Sequence, residues 1–318
     1  MASSIVAFDT QKAGTLNCQV DGDLASASVV ILTVHDLGCN STSWNNFVKH
    51  PSMAEITKRV VYLHVNVPGH EEGASALPAD FKFPSMDDLA ASLDDVCAKV
   101  QCPIIGLGEG AGANILARWV LSAPKQLLGA VLIHCTSTTA GYLESMKDKN
   151  INWKLLGGMH PSAENYLVMH RFGDFSHAKD AEQVKGVIDD FHTQLNSTMN
   201  SVNIRNFINC FVNRSNIAEK MGSLTLPILI ITGAKASHNH TVHTLYNAAI
   251  RAVSDRQKVE FLEVPDIANV VEGAPHKLAE SLQYFMQGRG VLGGAPMPNV
   301  PSSIKSGTTM GQLDKSDL

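Results

Sequence analysis

Short apolar runs of strand length alternate along the chain with segments in which apolar residues recur every three or four positions. The run Val29-Val30-Ile31-Leu32-Thr33-Val34 ends in His35-Asp36-Leu37-Gly38. A run of that kind reads as a parallel strand buried on both faces. Residues 60–67 repeat the pattern and stop at Pro68-Gly69. Before them, residues 1–28 read as an edge hairpin, with Asp21-Gly22-Asp23 as a turn. Short helical stretches are expected from Ser43 to Val48 and on through Met53 to Lys58, and residues 71–84 read as a loop. Ser85 followed by Asp87 and Asp88 marks a helix N-terminus, and Met86, Leu89, Leu93, Val96 and Val100 follow at helical spacing. Ile104-Ile105 is the next strand, then come a glycine-rich turn, a helix over 111–121 and a strand over 130–135. Residues 139–222 change character: polar residues dominate, and helices are expected at 153–156, 163–171, 181–195 and 202–212. The sheet pattern then resumes with strands at 226–233 and 258–264 and helices at 240–253 and 276–287. Strands alternating with helices predict an α/β fold, with a mostly parallel sheet flanked by helices. The division expected is a core from residues 1–138 and 223–288, a helical cap at 139–222 and a disordered tail at 289–318.

Composition narrows the function classes. With 318 residues the chain can bury a sizeable core without disulfides or metals. A formal charge of −5 argues against a general nucleic-acid binder. Six scattered cysteines without a C-x-x-C pair read as reduced thiols. No secretory leader and no apolar run of membrane-spanning length is evident, so a cytoplasmic protein is expected.

The candidate chemistry centres on Ile105-Gly106-Leu107-Gly108-Glu109-Gly110-Ala111-Gly112. A strand meeting glycines and then a helix fits the nucleophile elbow G-x-S-x-G of α/β-hydrolases. Laid on Gly106 and Gly110, that pattern puts Gly108 in the nucleophile slot. The catalytic acid is expected after the strand that ends at Gly233, where the slot falls on Ala236. The base is expected after the last strand, where it falls on Asn269, and Asn takes no proton near neutral pH. His35-Asp36-Leu37-Gly38 matches the oxyanion segment in position, and its His and Asp also suit a loop held by its own polar side chains. All three catalytic slots are empty.

Beyond the elbow, the chain resembles the N-myc downstream-regulated (NDRG) family. The resemblance runs through Val34-His35-Asp36-Leu37-Gly38, Val67-Pro68-Gly69-His70-Glu71-Glu72-Gly73-Ala74 and Phe83-Pro84-Ser85-Met86-Asp87-Asp88-Leu89-Ala90. It continues in residues 105–117, in Met169-His170-Arg171-Phe172-Gly173 and Asn206-Phe207-Ile208-Asn209, and in the segment from Leu278-Ala279-Glu280 to Phe285-Met286-Gln287-Gly288. It implies an α/β-hydrolase fold without hydrolase activity, in a cytoplasmic protein of signalling, stress response or differentiation. The family's vertebrate members carry Arg-rich phosphorylated tails. Here the tail holds only Arg289, Lys305 and Lys315, although Ser302, Ser303, Ser306, Thr308 and Thr309 could accept phosphate.

Rival readings keep residues of their own. Glu109 at a helix start, and the histidines His238, His240 and His243, with or without zinc, are the candidates for relocated or metal-assisted hydrolysis. A small-molecule or lipid carrier would use an emptied cap–core cleft beside Gly108. Gly106-Leu107-Gly108-Glu109-Gly110-Ala111 also fits a dinucleotide fingerprint, but it does not open the first strand–helix–strand unit, and no acid follows at the required place. The expectation is therefore a binding protein with protein partners, no cofactor and no metal.

Overall fold

A computed structural model of the chain describes residues 3–137, 159–173 and 181–296. Eight strands form one sheet in the order β1-β2-β4-β3-β5-β6-β7-β8. Strands β1 (Ser3–Thr10) and β2 (Gly14–Asp21) make an antiparallel hairpin, and β2 pairs antiparallel with β4 (Val61–Val65). The remaining neighbours are all parallel: β4 with β3 (Val30–Val34), then β5 (Ile104–Glu109), β6 (Leu127–Ile133), β7 (Ile228–Gly233) and β8 (Val259–Val264). The hairpin turns at Gln11, Lys12 and Ala13, so Asp21-Gly22-Asp23 ends β2 and is not the connection. Every residue of β3, β4, β5 and β7 is buried, which is why β3, β4 and β7 read as near-continuous apolar runs, while the glycines of β5 hide all but its first two residues.

Helices cover both faces. Helix α1 (Met86–Cys97) starts in a reciprocal cap: Ser85 Oγ accepts from Asp88 N–H at 3.1 Å, and Asp88 Oδ2 accepts from Ser85 N–H at 3.3 Å. Helix α2 (Gly110–Ser122) packs beside it, with Trp119 Nε1 donating to Asp94 Oδ1 at 2.7 Å. The inserted region contributes α3 (Pro161–Phe172), α4 (Ala181–Ser197) and α5 (Ser201–Val212). These helices join α1 and α2 in one apolar core. The second core, on the opposite face, holds Trp44, Phe47, Tyr62 and the apolar side of the last helix. After β7 come α6 (Asn239–Ala252), the single turn α7 (Val270–Gly273) and α8 (Pro275–Gly288).

The cap lies over the carboxyl ends of β3 and β4 and is tied there by carboxamides. Asn203 Nδ2 donates to Gly69 O at 2.9 Å, and Gln194 Nε2 donates to Asn40 Oδ1 at 2.9 Å. The stretch just past α8, expected to begin a tail, folds back instead. Gln283 Nε2 donates to Pro296 O at 2.6 Å, and Leu292 and Ala295 are buried. Ser302, Ser303, Ser306, Thr308 and Thr309, and the helix expected at 153–156, lie outside the described residues.

Candidate functional site: a filled hydrolase chamber

Four glycines at alternate positions, 106, 108, 110 and 112, give the elbow pattern more than one register. Backbone geometry chooses between them. Gly106 and Gly108 are ordinary strand residues of β5, with Gly108 paired to Val34 on one side and Leu132 on the other. The left-handed position is Gly110, at φ 54°, where strand turns into helix. The nucleophile slot is therefore Gly110, not Gly108, and the frame is Gly108-Glu109-Gly110-Ala111-Gly112. A Cβ on Gly112 would run into the Val34 carbonyl, so that glycine lets the helix approach β3.

A side chain at Gly110 has no room either, because its Cβ would overlap the Asp36 carboxylate. In an α/β-hydrolase, two N–H groups stabilise the reacting oxyanion: that of the residue after the nucleophile, and one from the loop after β3. The corresponding groups here are those of Ala111 and Leu37. Both donate to Asp36 Oδ1, each at 2.7 Å. The protein's own carboxylate sits where a substrate's oxyanion would. His170, from the cap helix α3, places Nε2 at 3.0 Å from the same oxygen. Asp36 is only 2 % exposed. Burial works against its charge, yet His170 and the two N–H donors hold the carboxyl below the usual range.

The next cap residue completes the plug. Arg171 places Nε at 3.4 Å from Glu109 Oε2, and its Nη2 donates to Glu272 Oε1 at 3.0 Å. Its guanidinium also lies 5.0 Å from the centre of the Phe172 ring. Burial pushes the Glu109 carboxyl above its ordinary value; Arg171 pulls it down, while the Asp36 and Glu272 charges add to the rise. Asn269, in the base slot, has become a structural bridge. Its Nδ2 donates to Glu109 Oε1 at 2.7 Å and to Arg171 O at 3.0 Å, and its Oδ1 caps α7 by accepting from Glu272 N–H at 3.0 Å. Asp36, Glu109, His170, Arg171, Asn269 and Glu272 are all buried, so side chains fill the chamber that a carrier would need empty.

The other sequence candidates separate. Ala236 lies in the turn after β7, where its N–H donates to Gly233 O at 3.0 Å, and the neighbouring Ser237 hydroxyl donates to Met169 O of the cap. His243 Nε2 pairs with Glu263 Oε2 at 2.7 Å, His240 is exposed, and His238 starts α6 in the left-handed region at φ 54°. No metal-holding group of three or more His, Cys, Asp or Glu side chains occurs among the described residues.

His35 is a staple between loops. Its Nε2 accepts from Val67 N–H at 3.1 Å, so its Nδ1–H donates to the Asp36 carbonyl at 2.8 Å. Its ring stacks on His70 at 5.4 Å between centroids. Burial lowers the His35 pKa to about 4 and that of His70 to about 3. An imidazole depressed in the fold takes its proton first in the unfolded chain. The stability of these two sites is thus complete above the unfolded value near 6.5 and is lost as pH falls toward 4. The expected loss is on the order of 1 kcal/mol per pH unit for each histidine over that window. Glu109, with its raised pKa, works in the opposite direction, so urea denaturation from pH 7 to 4.5 should compare the parent with His70→Asn, whose slope is expected to be shallower.

In the sequence His170 and Arg171 stand out only as part of the segment that carries the family resemblance, and Glu272 does not stand out. Two signals are present: a His-Arg pair closing the helix expected at 163–171, and the N-x-x-E spacing of Asn269 and Glu272, which suits a helix cap.

The parallel sheet, the elbow between β5 and α2 and the inserted cap define an α/β-hydrolase fold. A hydrolase from Pseudomonas aeruginosa PA01 shares it, with a TM-score of 0.69 at 15% identity over 89% of this chain and 98% of that one. The family model described as "Ndr family" matches residues 7–293, and the chain belongs to that family. It is 35% identical to the uncharacterized protein ZK1073.1 of Caenorhabditis elegans, over 98% of this chain and 93% of the relative. It is 28% identical to protein NDRG4-B of Xenopus laevis, over 93% of this chain and 79% of the relative. Within that family the chain is a pseudo-hydrolase: the nucleophile slot has no side chain, the oxyanion donors are already engaged, and the acid and base slots hold Ala236 and Asn269.

Proposed function

We propose that this protein acts by binding protein partners through its outer surface, as a cytoplasmic component of signalling, stress response or differentiation. The observation that carries this reading is the Asp36 carboxylate seated on the Ala111 and Leu37 N–H groups. A substrate carbonyl would have to displace a buried charge from its best donors, and the cap's His170 and Arg171 would have to leave the carboxylates of Asp36, Glu109 and Glu272. Membership of the Ndr family supports the cellular setting. No helix among the described residues is long and apolar enough to cross a membrane.

This reading leaves the interior without a ligand. Oleate and short acyl esters, at millimolar concentration, are expected to shift the thermal midpoint by less than about 1 °C. A saturable stabilisation by oleate that disappears in His170→Ala would instead show a cleft that opens and carries lipid.

A further inference from the structure

The N-terminal hairpin is covered by α1 on one face only, and the other is left open. One of its faces sends Phe8, Leu16, Cys18 and Val20 into the core. The other carries Ser3, Ile5, Gln19 and Asp21, placed side by side by the register Ser3↔Asp21 and Ile5↔Gln19. On that side the helical turns Asn45–Lys49 and Ala54–Thr57 stop short of the hairpin. The step between them is a cavity of about 630 Å³, within the size range of small-molecule sites. Ile5, 64% exposed, stands on the same uncovered face.

The walls differ in charge. Asp21 projects from the hairpin side. Its Oδ1 accepts from Gln19 Nε2 at 3.0 Å, and its Oδ2 lies 3.5 Å from Nε2 of buried His64. His64 is itself fixed, with Nδ1 at 2.7 Å from Thr33 Oγ1 and its ring stacked on Tyr62. Hydrogen bonding from His64, with further help from Gln19 and Ser3, keeps the Asp21 carboxyl well below its ordinary range despite its burial. A carboxylate has about four acceptor directions, so these donors leave capacity for a ligand N–H. Lys49, exposed on the facing helical turn, makes no ion pair among the described residues. Asn45, one turn before it, offers an amide, and Val48, Pro51 and Ala54 add an apolar wall.

We propose that this pocket binds a small zwitterion, a free amino acid or short peptide with an apolar side chain. Its ammonium group pairs with Asp21, its carboxylate with Lys49 and Asn45, and its side chain lies against Val48, Pro51 and Ala54. The site is separate from the filled chamber and does not depend on the reading given for it.

Isothermal titration of the full chain with L-leucine and with leucyl-leucine tests the assignment. Leucinamide, which lacks the carboxylate, and N-acetyl-leucine, which lacks the ammonium, serve as half-charged probes. At least one zwitterion should bind saturably, with both half-charged probes weaker by about tenfold or more. Lys49→Met, an exposed change that leaves the core intact, should weaken the zwitterion about tenfold and leave leucinamide unaffected. Asp21→Asn should abolish binding of both. No saturable binding of either zwitterion, leucinamide binding as tightly as leucine, or unchanged affinity in Lys49→Met would each overturn the proposal.

Discussion

Asp36→Ala is expected to destabilise the fold by about 3–5 kcal/mol, measured by urea denaturation at pH 7. The change removes one acceptor and strands three buried partners. Ala111 N–H and Leu37 N–H each lose a 2.7 Å bond, and His170 loses a carboxylate at 3.0 Å. None of the three faces water, because the loop after β3, the elbow and α3 close over them. Asp36→Asn keeps an oxygen for the two N–H donors and gives up only the charge, so its loss should be smaller, about 1–2 kcal/mol. A cost for Asp36→Ala no greater than that of a surface substitution would mean that the carboxylate is a spectator. The folded pKa of Asp36 lies below its unfolded one, so the stability it supplies is present above the unfolded value near 3.9 and is lost as pH falls through the folded value.

Arg171→Met is expected to cost a similar amount, about 3–5 kcal/mol at pH 7, by a different route. The isostere refills most of the volume but leaves Glu109 and Glu272 buried without their guanidinium. Glu109, whose carboxyl already stands above the ordinary range, rises further when the cation leaves. A raised carboxyl favours the fold at low pH, and that contribution disappears as pH rises through the folded value. The deficit of Arg171→Met relative to the parent should therefore shrink between pH 7 and pH 5. A deficit independent of pH would assign the loss to packing against Phe172 and Phe191 and not to charge.

Much of the fold is legible in the sequence because burial on both faces of a parallel sheet writes itself as unbroken apolar runs. Residues 30–34, 61–65 and 228–233 lie inside the runs that announce them. Composition points to the wrong hairpin turn, since Asp21-Gly22-Asp23 has turn composition while Gln11-Lys12-Ala13 makes the connection. The elbow is legible in the sequence, but its nucleophile slot lies two residues later than the first match to the pattern puts it. Alternate glycines are indistinguishable by spacing, and only the positive φ of Gly110 separates them. The empty catalytic slots were legible as residue types. What fills the chamber was not, because Asp36 meets His170 across 134 positions and Glu109 meets Asn269 across 160. Pairings at that range are set by where the cap lands, not by local pattern. In the sequence Asp36 is a loop residue of the oxyanion segment, and only the folded chain places its oxygen on the donors a substrate would need.

The central claim is that the hydrolase chamber is occupied by the protein's own charges and carries out no acyl transfer. Hydrolysis of p-nitrophenyl butyrate by the purified chain, and by Gly110→Ser, measures it most directly. Both rates should equal the buffer background, because an introduced hydroxyl would meet the Asp36 carboxylate and find Asn269 where a base should be. Turnover above background that is abolished by Glu109→Gln or by His170→Ala would contradict the account.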